Sequence, residues 1–153
     1  MPNTYTQLYI QIVFFVKYRQ AMISESWEDR FHKYVIAIVQ NNGHKVLAIN
    51  SAYDHVHLFI GLNPNQSISE LMRQVKQDSS KFINDNKLTK TIFRWQEGYG
   101  AFSYNQSQIQ NVIRYIERQK EHHKDKKFKE EYIQMLKSFE VEYNEQYIFK
   151  DLE

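Results

Sequence analysis

Asp54-His55-Val56-His57-Leu58-Phe59-Ile60 is the stretch on which the fold turns. Residues two apart on a β-strand point the same way, so His55 and His57 share one face of such a strand. Val56, Leu58 and Ile60 share the other face, where an apolar row asks to be covered by helices. The pattern predicts a strand from His55 to Gly61, buried on one side, with two imidazoles projecting from the other.

The neighbouring sequence extends this into a layered architecture. Upstream, Tyr5 to Lys17 is rich in Tyr, Ile, Val and Phe and reads as a first strand. Ser24-Glu25-Ser26-Trp27-Glu28 opens a helix reaching about Asn42, with Phe31, Tyr34, Val35 and Ile38 on one face and Gly43 at its stop. Lys45 to Ala52 reads as a second strand, turning at Tyr53-Asp54 into the histidine strand. Ser67-Ile68-Ser69-Glu70 is a capping box that starts a helix running to about Asn86. Ile92 to Tyr104, interrupted by Gly98 and Gly100, predicts one strand or two short ones with a bend. Another helix is expected from Asn105-Gln106-Ser107 to about His123. Beyond the charged run Lys124 to Lys129 come a helical turn or two (Tyr132, Met135, Leu136) and a short strand over Val141 to Phe149. The order β-α-β-β-α-β then α predicts an α+β fold of the split βαβ kind (ferredoxin-like or RRM-like). An antiparallel sheet carries helices packed on one face, and a further C-terminal helix bears Tyr115.

Composition narrows the class. The chain has 153 residues, 42% hydrophobic and 25% charged, as expected of one globular domain over 1–153. It lacks cysteine, which removes disulfide frameworks and thiolate zinc sites and fits a reducing cytoplasm. The first residues, Met1 to Thr4, carry neither a basic n-region nor a small-residue cleavage site, so no signal peptide is expected. Apolar runs such as Ile12 to Val16 are far too short for a bilayer, so no membrane partner is expected. Net charge is +2, but it is unevenly spread. Residues 130–153 form an acidic C-terminal extension with two Lys against seven Asp and Glu, leaving +7 on residues 1–129. A basic body attracts polyanions, and an acidic end can cover part of it or simply be solvated.

Two imidazoles leave a divalent ion short of donors. Val112-Ile113-Arg114-Tyr115-Ile116-Glu117-Arg118-Gln119 supplies a candidate, because Tyr115 and Gln119 are four apart and share a face of the predicted helix. A Gln amide oxygen is a hard neutral donor suited to Mg²⁺ or Mn²⁺. A tyrosine hydroxyl is a poor nucleophile near neutral pH, but beside a cation it deprotonates more readily. The same cation polarises a phosphoryl oxygen. Each motif alone also fits ordinary surface histidines, a core tyrosine and a solvated glutamine. His122, one turn beyond Gln119, and its neighbour His123 are further candidates; Glu117 points away from Tyr115. For DNA contact the candidates are Lys17 and Arg19 at the end of the first strand, and Arg73, Lys76 and Lys81 on the second helix.

The two motifs together resemble the single-tyrosine HUH transposases of small bacterial insertion sequences. That family carries His-hydrophobe-His on a central strand and Tyr-x-x-x-Gln on a later helix. Here they correspond to His55-Val56-His57 and Tyr115-Ile116-Glu117-Arg118-Gln119. The resemblance runs over nearly the whole chain and includes Trp95-Gln96-Glu97-Gly98-Tyr99. It implies Mg²⁺- or Mn²⁺-dependent cleavage of single-stranded DNA at hairpin-bearing element ends, through a covalent 5′-phosphotyrosine on Tyr115. It also implies a homodimer in which each tyrosine helix can complete its partner's site, with Gly98, Gly100 and Asn105 to Gln108 as a possible hinge. Two other readings stay open: a non-catalytic sheet that binds single-stranded nucleic acid through aromatics, and a metal phosphoesterase using water as nucleophile.

Overall fold

The computed structural model describes residues 4–17, 22–119 and 128–144. Four strands, β1 (Tyr9–Phe15), β2 (Lys45–Ser51), β3 (His55–Gly61) and β4 (Gly100–Tyr104), form one antiparallel sheet in the order β2-β3-β1-β4. This is the split βαβ order. The predicted β3 bounds match, while β1 is shorter than the Tyr5–Lys17 expected. β3 pairs with it from Tyr9 to Phe15 and β4 from Tyr9 to Val13, with a single further bridge from Val16 to Trp95.

Helices α1 (Glu28–Asn41) and α2 (Ile68–Asp85) cover one sheet face. The α2 start is as the sequence predicts: Ser67 Oγ accepts from the Glu70 amide at 3.1 Å. Gly43 follows α1 with φ +87°, a left-handed backbone that only glycine adopts cheaply. Between helices and sheet lies a continuous apolar core that includes Ile12, Phe14, Val56, Leu58, Ile60, Phe31, Leu71 and Val75. Trp95 joins it, packed edge-on to Phe14 and donating its indole N–H to Ser79 Oγ at 3.0 Å.

The second face is covered as well. A 3₁₀ turn (Gln106–Gln108) leads into α3 (Ile109–Glu117), and α4 (Phe128–Ser138) follows. Val112 and Ile116 of α3 pack on Phe59. Tyr132 and Leu136 of α4 pack on Val13, Phe15 and Phe102. Gly100 makes the second contact possible, because a Cβ there would lie 2.6 Å from the Tyr132 hydroxyl. Residues 141–144 form no strand, and the rest of the predicted Val141–Phe149 strand lies outside the described residues. No helix among the described residues is long and apolar enough to cross a membrane.

Candidate active site

The register of β1 on β3 sets Phe15 opposite His55, Val13 opposite His57 and Gln11 opposite Phe59. These side chains share the face under α3 and α4. His55 and His57 therefore project side by side, with ring centroids 5.1 Å apart, and both are 0% exposed. Asp54 holds His55 Nδ1 at 2.7 Å, which turns Nε2 inward. A carboxylate on the far nitrogen orients a ring and raises its basicity, as behind many metal-bound imidazoles.

Tyr115 reaches this pair from α3. Its ring stands edge-on to His57 with centroids 5.7 Å apart. Gln119 is fully buried, and its Oε1 lies 3.2 Å from His55 Nε2. The helix predicted to run to His123 is interrupted at Arg118, the C-cap of α3. Asn50 on β2 explains the stop: its amide donates to the carbonyls of Ile116 (2.9 Å) and Glu117 (3.1 Å), satisfying groups a helix end leaves open. Gln119 still donates to the Tyr115 carbonyl at 3.4 Å, so the two remain adjacent across the break. Glu117 is exposed, as expected.

One residue at the centre of this arrangement was not foreseen. Glu131 of α4 is buried, accepts the Tyr115 hydroxyl hydrogen bond, and lies 3.4 Å from His57 Nε2. His55, His57 and Glu131 each offer one ligand atom, all within 4.8 Å of one another, and together could hold a metal ion. Burial pushes the Tyr115 phenol above its usual range, and the Glu131 charge and hydrogen bond add to this. Burial alone would raise the Glu131 carboxyl. The hydrogen bond and charge of His57, with the Tyr115 hydroxyl, outweigh it and hold the group down at about 2.

The donor chemistry fits a cation. In the tautomer that donates its Nδ1 proton to Asp54, His55 presents a lone pair at Nε2, 3.2 Å from the Gln119 oxygen. Two acceptors so placed are both satisfied by a positive centre between them. Two imidazole nitrogens, an amide oxygen and a carboxylate form a mixed set suited to a divalent first-row metal or Mg²⁺.

The basic candidates fall elsewhere. Arg73, Lys76 and Lys81 sit on α2, across the sheet from the histidines. Arg73 is 3.5 Å from Glu70, and Lys81 is 3.0 Å from Asp85. Lys76 does not present a free ammonium: it donates to the carbonyls of Gln96 (2.9 Å) and Gly98, and burial lowers its pKa to about 8. Its place is to pin the Trp95–Gly98 segment to α2. Lys17, two residues past the partner of His55, is the candidate nearest the histidine end of β3. Arg19, His122 and His123 lie outside the described residues. His32 and His44 serve the scaffold, bonding Ser51 (2.8 Å) and Gln66 (2.7 Å).

Comparison with known proteins places this fold and site in a family. The family described as "Transposase IS200 like" matches residues 4–119, from the first described residue through Gln119. The chain belongs to the IS200-like transposase family. Among its relatives, the ISDra2 transposase TnpA of Deinococcus radiodurans is 25% identical over 118 residues, spanning 74% of this chain and 84% of that one. In solved structures, the IS200-like fold here superposes on a Deinococcus radiodurans R1 protein described as a transposase (TM-score 0.61, 20% identity, 76% of this chain, 94% of that one). It also superposes on a REP-associated tyrosine transposase bound to a REP hairpin (TM-score 0.59, 14% identity, 79% and 72%). Glu131 lies beyond the segment that the IS200-like family match covers.

Proposed function

We propose that this transposase cleaves and rejoins single-stranded DNA at hairpin-bearing element ends, with Tyr115 as the nucleophile. One observation carries the reading: the Tyr115 hydroxyl meets a buried group of donors, His55, His57, Glu131 and Gln119, that suits a divalent cation. Water as the nucleophile would need no phenol at that point. The hairpin bound by the structural relative supports the choice of substrate.

In the proposed reaction the Tyr115 oxygen attacks the phosphorus, a Tyr–O–P bond forms, and the bond from phosphorus to the 3′ oxygen breaks. The products are a 5′-phosphotyrosine and a free 3′-OH, so the phenolic proton ends, net, on the departing oxygen. In the structure that proton points at Glu131. Rejoining reverses the step with another 3′-OH and needs no external energy. His55, His57 and Gln119, with Glu131, would hold Mg²⁺ or Mn²⁺. When bound, that ion supplies charge neutralisation at the attacked phosphate. Asp54, in the turn between β2 and β3, fixes the His55 ring, and Asn50 of β2 fixes the end of the helix that carries the phenol.

The functional unit spans 1–153, with the acidic 130–153 extension supplying most of α4, and it acts in the cytoplasm. Lys17, near the site, grips the backbone, Arg19 adds to that grip, and Arg73 and Lys81 contact DNA passing behind the sheet. A homodimer that exchanges tyrosine helices belongs to the same proposal; within the described chain α3 lies over its own histidines. The test is incubation with labelled single-stranded DNA and Mn²⁺. A protein–DNA band that survives denaturation, needs Tyr115 and disappears with EDTA is expected. A band equally strong in Tyr115→Phe would reassign the nucleophile.

A further inference from the structure

Beside Tyr115, between α3, α4 and the sheet, lies a cavity of about 520 Å³. It falls within the range of small-molecule sites, about 300–1,000 Å³. Tyr104 and Phe139 give it aromatic walls, Asn111 borders it on α3, and Tyr115 and Glu131 close the end nearest the histidines. On its sheet side is Gln11, 1% exposed on β1. The Gln11 Oε1 is buried with no hydrogen-bond partner among the described residues. Such an acceptor costs stability unless something donates to it, so an orphan lining a cavity points to a missing donor.

The chemistry of the walls selects the class of guest. Among the described residues no Lys or Arg lines the cavity and the one charged residue is the acid Glu131, so a phosphate would meet repulsion and find no counter-charge there. A flat, neutral group with hydrogen-bonding edges fits instead. Aromatic walls offer stacking surfaces for an unstacked base. Gln108 and Gln134 extend the amide lining around Gln11 and Asn111. A Gln amide pairs well with adenine, whose amino group donates to the Gln oxygen.

We propose that this cavity is a nucleobase pocket. It takes the unstacked base of a nucleotide adjoining the phosphate that Tyr115 attacks, with Gln11 Oε1 accepting from the base's amino group and adenine preferred. The pocket rests on the reading of Tyr115 as the nucleophile, because sharing a wall with the phenol is what places the guest next to the cut. It gives the enzyme a direct check on sequence at the cleavage point, separate from any grip on the backbone.

Two measurements on the full chain test this. In the first, the four deoxynucleosides and inorganic phosphate are titrated while the Gln11 side-chain amide and Tyr104 ring are followed by NMR. Deoxyadenosine is expected to shift both at concentrations about tenfold below thymidine. Gln11→Leu should erase that preference, and Asn111→Ala, on the exposed side, should weaken binding without erasing it. Phosphate should shift neither group. No response to any nucleoside, or an equal response to phosphate, overturns the pocket. In the second, a random single-stranded library is offered with Mn²⁺, and DNA captured covalently is sequenced. Wild type should favour adenine at one position beside the linked phosphate, and Gln11→Leu should flatten that position alone. Capture with no base preference at that position, or with one unchanged in Gln11→Leu, overturns the pocket and leaves the nucleophile standing. Nucleoside binding without covalent capture does the reverse.

Discussion

The two faces of the sheet are built on opposite terms. Under α1 and α2 lies one continuous apolar cluster, running from Ile12 and Phe14 through Val56, Leu58 and Ile60 to Trp95. Under α3 and α4 the apolar packing splits into two small patches, one around Phe59 and one around Val13 and Phe102. Between the patches run Gln11, His55, His57, Gln119 and Glu131, all buried. Burying a carboxylate and two imidazoles costs free energy that aliphatic side chains in the same space would not. One face therefore holds the protein together, and the other gives up stability to hold a reactive arrangement.

Neighbouring residues on β3 can break this comparison. His57→Leu is expected to lower covalent DNA capture about a hundredfold or more and to abolish tight Mn²⁺ binding. Its metal-free melting temperature should fall by less than that of Leu58→Ala, since the loss of the His57 partner of Glu131 is offset in part by putting an apolar side chain in place of a buried imidazole. Leu58→Ala, one residue on and pointing the other way, should cost about 2–5 kcal/mol of stability. At temperatures where it stays folded, its capture rate should be close to wild type. Calorimetry with and without Mn²⁺, beside a capture assay, separates the two. If His57→Leu melted as early as Leu58→Ala, the division of labour would be wrong.

The second face can be probed without touching a ligand. Gly100→Ala places a methyl against the Tyr132 hydroxyl and should push α4, with Glu131, away from the histidines. A stability loss of about 1–3 kcal/mol is expected. Mn²⁺ affinity, read by titration calorimetry, should fall with it. Unchanged affinity would remove α4 from the site.

The smallest effect belongs to Lys76 on the structural side. Its folded pKa of about 8 lies below the ordinary 10.5. Below pH 8 the ammonium is charged in both states and its burial cost is felt in full. Between 8 and 10.5 the unfolded chain holds a proton that the folded chain has released, so stability rises with pH. Wild type should gain stability relative to Lys76→Met across that window in urea titrations, by a fraction of what full burial would give, because the amine is partly solvated. A flat difference would refute the assignment.

The sequence made one face far more legible than the other. The alternation in His55–Gly61 located β3 and assigned its sides because strand periodicity is local. Tyr115 and Gln119 were found through their four-residue spacing, although the helix that suggested the spacing is broken at Arg118. Glu131 had no such signal. It sits in an acidic stretch that reads as solvated, and only the docking of Tyr132 and Leu136 onto β1 and β4 turns it inward. The bonds of Lys76 were hidden for the same reason, since its partners are backbone carbonyls about twenty residues away. Gln11 looked like an ordinary strand residue until the register set it at a cavity.

The central claim is that the Tyr115 phenol, held against the buried histidine pair, is the atom that becomes joined to DNA. Digesting the denatured protein–DNA product and locating the nucleotide-bearing peptide by mass spectrometry tests it most directly. The account predicts a 5′-phosphate on Tyr115, formed with Mn²⁺ and absent after EDTA. A nucleotide on any other residue, or capture unaffected by removing metal, would contradict it.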